Sequence, residues 1–276
     1  MNSISIITAC KSTESTLYID ELLESVRVQG EVLCSCEWVW VINGEDANSL
    51  ARYIKEHAGT FIELRILTRE HPMTPGAARK LAVEHASGDF ICIQDSDDLM
   101  LSGRLRLQLN MMRETKVDVL YTKLVLFSSI DDLEDSSLWI NKKYLKRIGP
   151  SRLALHCAPR NPSAFIRRSV FSNSSYHLEL KSSEDYWLWC NVLLNGGSIM
   201  ESGEPLVAYR VDQNFFHRRR GYETFRNDVI VKTYFLTRWL KVHRYVGLLF
   251  AILSSSYRLL GYKVFLYLYR FTHHER

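Results

Sequence analysis

Three carboxylates lie within four residues of the sequence, in the run Asp95-Ser96-Asp97-Asp98. At that spacing the negative charges repel one another unless a cation or hydrogen-bond donors lie between them. A hard divalent ion such as Mn2+ or Mg2+ prefers oxygen ligands of this kind, and it can stabilise the charge on a departing diphosphate. The alternative is a solvated acidic turn, or a helix start whose dipole the carboxylates complement. Because residues 90–94 predict a buried strand that ends at this run, we favour the metal site.

A second acidic pair, Glu184-Asp185, stands directly before the aromatic run Tyr186-Trp187-Leu188-Trp189. A carboxylate that aromatic rings partly desolvate stays basic enough to accept a proton from a hydroxyl group. Indole and phenol rings also offer flat apolar faces to sugar rings. The alternative is a helix that begins with two carboxylates and buries its aromatic side chains in the core.

Two basic side chains are candidates for the same chemistry. Arg79 follows a Pro/Gly loop on a predicted helix, and a guanidinium group can bind phosphate through two hydrogen bonds. His217 lies in an irregular segment beyond both acidic sites and precedes three arginines, so it is a candidate ligand for a metal or a phosphate. For both residues the alternative is an ordinary surface position in contact with solvent.

The segments before the acidic run alternate between strand and helix patterns. Short apolar runs predict strands and longer runs predict helices, the last of which begins at Pro75 and is followed by Gly88. One helix, beginning after Ser15 or Thr16, should bury Leu17, Leu22, Leu23 and Val26. The predicted strands are residues 3–9, 38–42, 61–67 and 90–94, and the other predicted helices are residues 46–57 and 75–86.

The order of these elements predicts an α/β fold with a Rossmann-like, mainly parallel sheet flanked by helices. In such a sheet ligands bind at the carboxyl ends of the strands. The loops at residues 10–13, 43–46 and 95–98 lie at those ends, so the acidic run lies where such a fold binds its ligands. Residues 117–209 are less regular and predict an α+β continuation.

Composition and cysteine placement exclude several classes of protein. Hydrophobic residues make up 46% and charged residues 24% of the 276 residues, which is ordinary for a folded protein. No stretch reaches the roughly 20 apolar residues needed to span a bilayer. The six cysteines are scattered without a Cys-x-x-Cys pair, which excludes a zinc ribbon. No basic segment precedes an apolar core at the N-terminus, so we expect no signal peptide and a cytoplasmic protein with reduced thiols.

The charge is distributed unevenly along the chain. Residues 218–276 contain twelve Lys and Arg against three Asp and Glu, a net charge of +9 that leaves −5 for residues 1–217. The same tail is rich in Leu, Tyr, Phe and Val, and Tyr257, Arg258 and Tyr262 fit a helix that lies on an anionic membrane surface. No nucleic-acid-binding motif accompanies the charge, so we expect no nucleic acid partner. The alternatives are tail helices that pack on the preceding domain or form a homodimer interface.

Three segments together resemble glycosyltransferase family 2, whose members are inverting enzymes with the GT-A fold. Residues 76–91, which begin with Gly76-Ala77-Ala78-Arg79, resemble the run that leads into the family's Asp-x-Asp motif. Asp95-Ser96-Asp97-Asp98 matches that motif, and Ser183-Glu184-Asp185-Tyr186-Trp187 matches the family's later Glu-Asp motif. The resemblance implies a nucleotide-sugar-binding and catalytic domain at residues 1–212, followed by a basic, aromatic, helical tail at residues 213–276.

The resemblance implies a role for each matching residue of the two motifs and the helix before them. Asp97 would be the main metal ligand, Asp95 would face the ribose or nucleotide of the donor, and Asp98 would support the site. Asp185 would be the general base that deprotonates the acceptor hydroxyl. Arg79 would contact the pyrophosphate.

Further residues complete the implied site. Asn43 stands where the family often has an acidic residue after the second strand, and it would contact the nucleotide there. Glu184 and Trp187 would face the acceptor. His217 would be a metal ligand, although Asp212 occupies the position of a histidine in the segment that resembles the family's Tyr-Arg-x-His. The residues implied to line the base pocket are Thr8, Ala9 and Lys11.

The resulting prediction is an inverting, metal-dependent glycosyltransferase that moves a sugar from a nucleotide-sugar, with a UDP-sugar favoured, to a hydroxyl of a saccharide or lipid-linked acceptor. By analogy with the family, it would build a bacterial surface polysaccharide or glycolipid while peripheral on the inner face of the cell membrane. One alternative is a nucleotidyltransferase, for which Ala9-Cys10-Lys11-Ser12 is a poor phosphate loop. Another is a non-catalytic carbohydrate-binding or scaffold protein of the same fold, against which intact Asp97 and Asp185 argue.

Overall fold

A computed structural model of the chain describes residues 3–134, 144–212, 215 and 217–273. The first elements alternate between strand and helix, and each predicted strand and helix overlaps an observed one, which confirms the predicted alternation. These elements are β1 (Ile4–Lys11), α1 (Thr16–Arg27), β2 (Cys36–Asn43), α2 (Ala47–Ala58), β3 (Glu63–Arg69), α3 (Pro75–Glu84) and β4 (Phe90–Ile93).

The first helix differs from the prediction at one position. Leu17 is 61% exposed, whereas Ile19, Leu22, Leu23 and Val26 are buried. Those four residues recur at the i, i+3, i+4, i+7 spacing of a single helix face. Leu17 lies two residues before Ile19, which at 3.6 residues per turn places it on the far side of the helix. The prediction that Leu17 is buried is therefore wrong.

The remaining elements complete one sheet and add three helices at the C-terminal end of the described chain. They are β5 (Leu99–Met100), α4 (Arg104–Thr115), β6 (Val119–Phe127), β7 (Leu145–Arg147), α5 (Pro150–Leu155), β8 (Phe165–Arg167), α6 (Glu184–Leu194), β9 (Ile199–Arg210), α7 (Tyr222–Trp239), α8 (Arg244–Ser255) and α9 (Tyr262–His273). The strand order is β3-β2-β1-β4-β8-β6-β9-β5, and β7 pairs with β9. Strands β1 to β4 are parallel, and β8 lies antiparallel between β4 and β6.

Hydrophobic residues on the two faces of the sheet form two clusters, because successive residues of a strand point to opposite faces. Trp38 and Trp40 of β2 join the cluster that α1, α2 and α4 cover. Val39 and Val41 join the cluster that α3, α6 and α7 cover. Every residue of β2 is buried, as expected for an interior parallel strand with helices on both faces. This packing fixes the carboxyl ends of the parallel strands, where the acidic run begins.

The tail helix α7 packs on the rest of the chain. Its Phe235 and Leu236 are buried in the same cluster as the aromatic residues of α6. Arg258, which the sequence predicts to face an anionic surface, instead forms an ion pair with Asp228 of α7 and is only 11% exposed. The prediction is wrong for Arg258 because a buried carboxylate holds its guanidinium group. Across the residue ranges given above, no helix is both long and apolar enough to cross a bilayer.

Candidate active site

The acidic run follows β4 directly and is held in place by the buried side chain of Gln94. Its Nε2 donates hydrogen bonds to the carbonyl oxygens of Asp95 and Asp98, each at 2.9 Å. Its Oε1 accepts a hydrogen bond from Nη1 of Arg104 at 2.6 Å. Arg104 is fully buried in α4 and also donates to the backbone carbonyl oxygen of Ile93. Because core side chains bond the carbonyls of the loop, the loop has a fixed shape.

Asp98 is the last residue of the acidic run, and its side chain points away from solvent into the protein interior. It is fully buried, and its Oδ1 accepts a hydrogen bond from the backbone N–H of Arg210 at 2.9 Å. Its Oδ2 is buried and has no hydrogen-bond partner among the described residues. Burial raises the pKa of Asp98 well above its usual range, and the charges of Asp97 and Asp95 add to that effect. Asp98 thus supports the loop as a buried acid and does not line its solvent side.

Arg210 is a residue of the site to which sequence reasoning gave no role. Its Nε donates to the carbonyl oxygen of Asp97 at 2.8 Å, and an Nη group pairs with Glu21 of α1. Its guanidinium group lies over the rings of Tyr18 and Phe127, at 4.2 and 4.4 Å from the ring centroids. Arg210 therefore joins the end of β9 to α1 and to the acidic loop. The only sequence signal was the segment around Tyr209-Arg210 that resembles a family motif.

Asp97 is half-buried and lies among other carboxylates. The pKa of Asp97 is raised to about 6, chiefly by burial and also by the charges of Asp95 and Glu14, whereas Arg210 opposes the rise. Glu14 was not predicted; its Oε2 accepts a hydrogen bond from Oγ of Ser96 at 2.6 Å. Among the described residues, no three His, Cys, Asp or Glu side chains form a ready-made metal site. The donor set still fits a hard divalent cation, because a carboxylate held among carboxylates is stabilised by such a charge.

Arg79 joins the two acidic motifs. Its Nη2 donates to Oδ1 of Asp95 at 2.9 Å, and its Nη1 donates to Oε1 of Glu184 at 2.5 Å. Only 14% of the Arg79 side chain is exposed, so both ion pairs are largely shielded from water. The two acidic motifs lie far apart in the sequence, but the single side chain of Arg79 bonds both of them. The predicted contact of Arg79 with pyrophosphate stays a prediction.

The Glu184-Asp185 pair begins α6, and α3 approaches it closely. A Cβ atom added at Gly76 would lie 2.3 Å from the carbonyl oxygen of His177 and 3.1 Å from Cβ of Glu184. Only glycine therefore allows α3 to pack this near to Glu184. Burial raises the pKa of Asp185, and the negative charge of Glu184 raises it further, whereas Arg79 opposes them. A carboxyl group with a raised pKa is a stronger base once it is deprotonated.

Trp187 lies one turn into α6, between two other rings. Its ring stacks on Tyr234 of α7 at a centroid distance of 4.0 Å, and the ring of His177 contacts it edge-on at 4.7 Å. One face of the indole is therefore covered by the tail helix. The predicted contact of Trp187 with an acceptor stays a prediction.

An open pocket of about 910 Å³ lies at the carboxyl ends of β1, β2 and β3. Asn43 is buried on one side of it, where its Nδ2 donates to the carbonyl oxygen of Cys10 at 2.8 Å and its Oδ1 accepts from the backbone N–H of Met73 at 2.9 Å. Residues that line the pocket include Lys11, Ser12, Thr13, Asn43, Glu45 and Glu70. Lys11 and Asn43 are thus brought together at the pocket, as the predicted base site requires.

Three of the predicted residues lie elsewhere. Thr8 is buried in β1, and its Oγ1 accepts a hydrogen bond from Nε1 of Trp38 at 3.0 Å. Ala9 packs against the hydrophobic cluster on the α3 side of the sheet. His217 is exposed in a short 3-10 turn and stacks on the ring of Tyr262 at 4.8 Å, so its described ring contact is with α9 and not with the acidic loop. Metal binding by His217 stays a prediction.

The family model described as Glycosyl transferase family 2 matches residues 5–174, more than half of the chain. The chain therefore belongs to glycosyltransferase family 2, and the predicted class of enzyme, a glycosyltransferase, is confirmed. Among curated relatives, it is 25% identical over 273 residues to the amylovoran biosynthesis glycosyltransferase AmsE of Erwinia amylovora, a match that covers 96% of this chain and 97% of AmsE. It is 24% identical over 216 residues to WfgD of Escherichia coli, a UDP-Glc:α-D-GlcNAc-diphosphoundecaprenol β-1,3-glucosyltransferase, covering 74% of this chain and 81% of WfgD.

Solved structures share the architecture. S. aureus TarS 1–349 in complex with UDP-GlcNAc superposes with a TM-score of 0.62 at 21% identity, covering 89% of this chain and 74% of TarS. The mannosyltransferase PcManGT of Pyrobaculum calidifontis, in complex with GDP-Man and Mn2+, superposes with a TM-score of 0.63 at 12% identity, covering 100% of this chain and 81% of PcManGT. At these identities the likeness shows the fold alone, and it confirms the predicted GT-A fold.

The close approach at Gly76 generates a test of the site. Substitution Gly76→Ala should lower the free energy of unfolding by about 1–3 kcal/mol, because the added methyl group overpacks the contact with His177. It should also lower the rate of sugar transfer, because α3 carries Arg79 away from Glu184. Chemical denaturation and a transfer assay measure the two effects.

The matched control is Gly149→Ala. Gly149 has an ordinary φ of −92°, and no atom in the described part of the chain lies within 4 Å of an added Cβ. This variant should match the wild type in both measurements. Equal behaviour of the two variants would contradict the close-approach account.

Proposed function

We propose that this glycosyltransferase inverts configuration as it moves a sugar from a UDP-sugar to a hydroxyl of a saccharide carried on a lipid diphosphate, in the synthesis of a bacterial surface polysaccharide. The observation that carries the proposal is the Arg79 bridge, which joins a loop suited to a nucleoside diphosphate to a carboxylate pair suited to proton abstraction. Two relatives support the substrate classes: WfgD is named for UDP-Glc and a diphosphoundecaprenol acceptor, and AmsE for amylovoran biosynthesis.

The donor would lie across the carboxyl ends of the parallel strands. The pocket between β1, β2 and β3 is deep enough for a nucleoside, and it opens beside Lys11, whose ammonium group suits a phosphate. The acidic loop stands at the end of β4, the strand next to β1, on the same edge of the sheet. A donor with its base in the pocket would therefore place its diphosphate toward Asp95 and Asp97.

Asp97 is the residue that would hold a divalent cation, with Asp95 beside it. Asp97 and Asp95 are both partly exposed, but Asp95 is paired with Arg79, whereas Arg210 bonds the backbone carbonyl of Asp97 and not its carboxyl group. A bound Mn2+ or Mg2+ would supply neutralising charge for the departing diphosphate. The Mn2+ in the complex of PcManGT supports this choice of ion class.

Asp185 would take the proton from the acceptor hydroxyl. It is half-buried at the start of α6, and burial together with Glu184 makes its carboxylate more basic than that of a solvated aspartate. As the proton moves to Asp185, the acceptor oxygen would bond to the anomeric carbon from the face opposite the departing diphosphate. Attack from that face inverts the configuration at the carbon.

A transfer assay tests this function. The purified chain is mixed with Mn2+, a GlcNAc-diphospho-lipid acceptor and one of UDP-Glc, UDP-GlcNAc, GDP-Man or dTDP-Glc. We expect transfer from one UDP-sugar, with an anomeric configuration in the product opposite to that of the donor by NMR. Asp185→Asn should reduce the rate by about 100-fold or more, since it removes the general base.

The control for the transfer assay is Asp131→Asn, which changes an exposed aspartate in a short turn and should match the wild type. Retention of configuration, transfer only from the other donors, or an active Asp185→Asn variant would each contradict the proposal.

The pH dependence of transfer follows from the direction of the Asp185 shift. Asp185 must be deprotonated to act as a base, so the rate should rise with pH through its raised pKa. Glu184→Gln removes the neighbouring negative charge that raises this pKa, so the acidic limb should move to lower pH by about one unit. The pH profile of kcat measures the shift.

The control for the pH profile is Glu179→Gln, which changes an exposed glutamate of the segment before α6 and should leave the limb unmoved. A limb that stays in place or moves to higher pH in Glu184→Gln would show that Asp185 is not the group that titrates.

The surface of α8 supports docking on an anionic bilayer, where a lipid-linked acceptor would lie. Tyr245, Leu249 and Leu253 are 73%, 60% and 66% exposed, an unusual display of large apolar side chains on one helix. Arg244, the first residue of this helix, and Lys241, three residues before it, are both exposed, so positive charge borders the apolar surface. Apolar area combined with flanking positive charge matches an anionic lipid surface.

Sedimentation with vesicles tests the docking. The protein should bind vesicles that contain phosphatidylglycerol more than vesicles of phosphatidylcholine alone, and Leu249→Glu combined with Leu253→Glu should reduce binding about tenfold or more. Leu17→Glu, at an exposed leucine of α1, is the control and should bind as the wild type does. Vesicle binding unchanged by the double substitution would contradict the proposal, as would a protein whose α8 substitutions only convert a dimer to a monomer.

A further inference from the structure

We propose that Asp228 of α7 is a positioning residue for sugar transfer, because it bonds the turn from which the Glu184-Asp185 pair projects. The inference rests on the proposed role of Asp185 as the general base. It gives the tail a task in the reaction that is separate from any membrane contact.

The turn before α6 has a backbone conformation that needs support. Ser183 has a φ of 65°, in the left-handed region that residues with a Cβ atom disfavour, and it stands immediately before Glu184. The Ser183 side chain does not cap its own helix; its Oγ instead donates to Oδ1 of Asp228 at 3.1 Å. The preceding residue of α7, Asn227, makes a similar contact, since its Nδ2 donates to Oγ of Ser182 at 2.9 Å. Helix α7 therefore holds this turn through two adjacent serines.

Asp228 is itself fixed in position. It is 3% exposed, and its Oδ2 accepts a hydrogen bond from Nε of Arg258 at 2.5 Å. Arg258 in turn donates from Nη1 to the carbonyl oxygen of Arg219 at 2.5 Å, and its own carbonyl oxygen accepts from the N–H of Gly221 at 2.9 Å. A carboxylate held on both oxygens cannot rotate away from Ser183 without leaving a buried charge unpaired.

A second set of contacts keeps α7 aligned with α6. The ring of Tyr234 stacks on Trp187, and its hydroxyl donates to Oδ1 of Asn191 at 2.6 Å. The contacts at Ser183, Trp187 and Asn191 recur every four residues along α6, which is one face of the helix. Asp228 holds the first of these positions, two residues before Asp185.

The contacts of Asp228 affect the placement of Asp185 and not the binding of the donor. A catalytic group must be held within about 0.5 Å of its productive position, and a misplacement of about 1 Å costs on the order of 100-fold in rate. The described contacts of Asp228 lie on the turn before α6 and on the tail, whereas the base pocket lies at the ends of β1, β2 and β3. Loss of Asp228 should therefore lower kcat and leave donor binding intact.

The test compares Ser183→Ala, Asp228→Ala and Ser183→Gly/Asp228→Ala with the wild type in the full chain. We expect both single variants to lower kcat by about 10- to 100-fold with the donor KM and the UDP affinity unchanged. Because glycine adopts a φ of 65° without help, the double variant should recover most of the kcat that Asp228→Ala loses. Glu223→Ala, which removes an exposed acid from the same helix, is the control and should match the wild type.

Each other outcome contradicts either this inference or the proposed function on which it rests. Wild-type kcat in Ser183→Ala and Asp228→Ala, with Asp185→Asn inactive, overturns the inference and leaves the proposed function standing. Loss of UDP binding together with kcat, or no recovery in the double variant, shows that Asp228 supports the fold as a whole and also overturns it. An active Asp185→Asn variant is a failure of the proposed function itself.

Discussion

The repulsion among carboxylates at one edge of the sheet is the constraint on which the rest of the site depends. The acids gathered there are Glu14, Asp95, Asp97, Asp98, Glu184 and Asp185. Two arginines offset the repulsion among these carboxylates. Arg79 pairs with Asp95 and Glu184, and Arg210 hydrogen-bonds the acidic loop while it packs between aromatic rings. A lysine would be a poor replacement for Arg79, because its ammonium group is a compact point charge, whereas two separate Nη groups of the planar guanidinium reach the two carboxylates. A divalent cation would balance the negative charge that remains at Asp97, and the same cation would also neutralise the charge of the departing diphosphate.

The same constraint explains why distant segments pack as they do. The bridge by Arg79 requires α3 and the start of α6 to touch, and a glycine at position 76 makes that contact sterically feasible. The start of α6 is in turn braced by Asp228, and Asp228 by Arg258, so the tail belongs to the support of the site and not only to the surface. Helix α8, which packs on α7, is left with an apolar outer surface. Two sets of ion pairs, one at Arg79 and one at Arg258, are thus connected through the hydrogen bond between Ser183 and Asp228.

Sequence patterns predicted the parallel strands and the acidic loop at the end of β4, because local periodicity sets both. That the two acidic motifs belong to one site was implied by the resemblance to family 2. Glu14, Arg210 and Asp228 escaped prediction, since their importance comes from contacts across the fold that no local spacing encodes. Leu17 was predicted to be buried, but the buried face of α1 includes Ile19 and turns Leu17 to solvent. Arg258 was predicted to face an anionic surface, but it forms an ion pair with Asp228. The resemblance to family 2 implied that Thr8 lines the base pocket, whereas in the structure its hydroxyl is buried and accepts a hydrogen bond from Trp38. The nucleotide and acceptor are set by pocket shape, which residue types alone do not specify.

The most direct test of the account is a calorimetric titration of UDP, GDP and dTDP, each with and without Mn2+, on the wild type and on Asp97→Ala. The account predicts that UDP binds the wild type in the presence of Mn2+, and that the affinity falls when either Mn2+ or the Asp97 carboxylate is removed. Binding that is equally tight without Mn2+ and in Asp97→Ala would contradict the metal site. Absence of binding by all three nucleotides would contradict the donor site as a whole and favour a scaffold protein of the same fold.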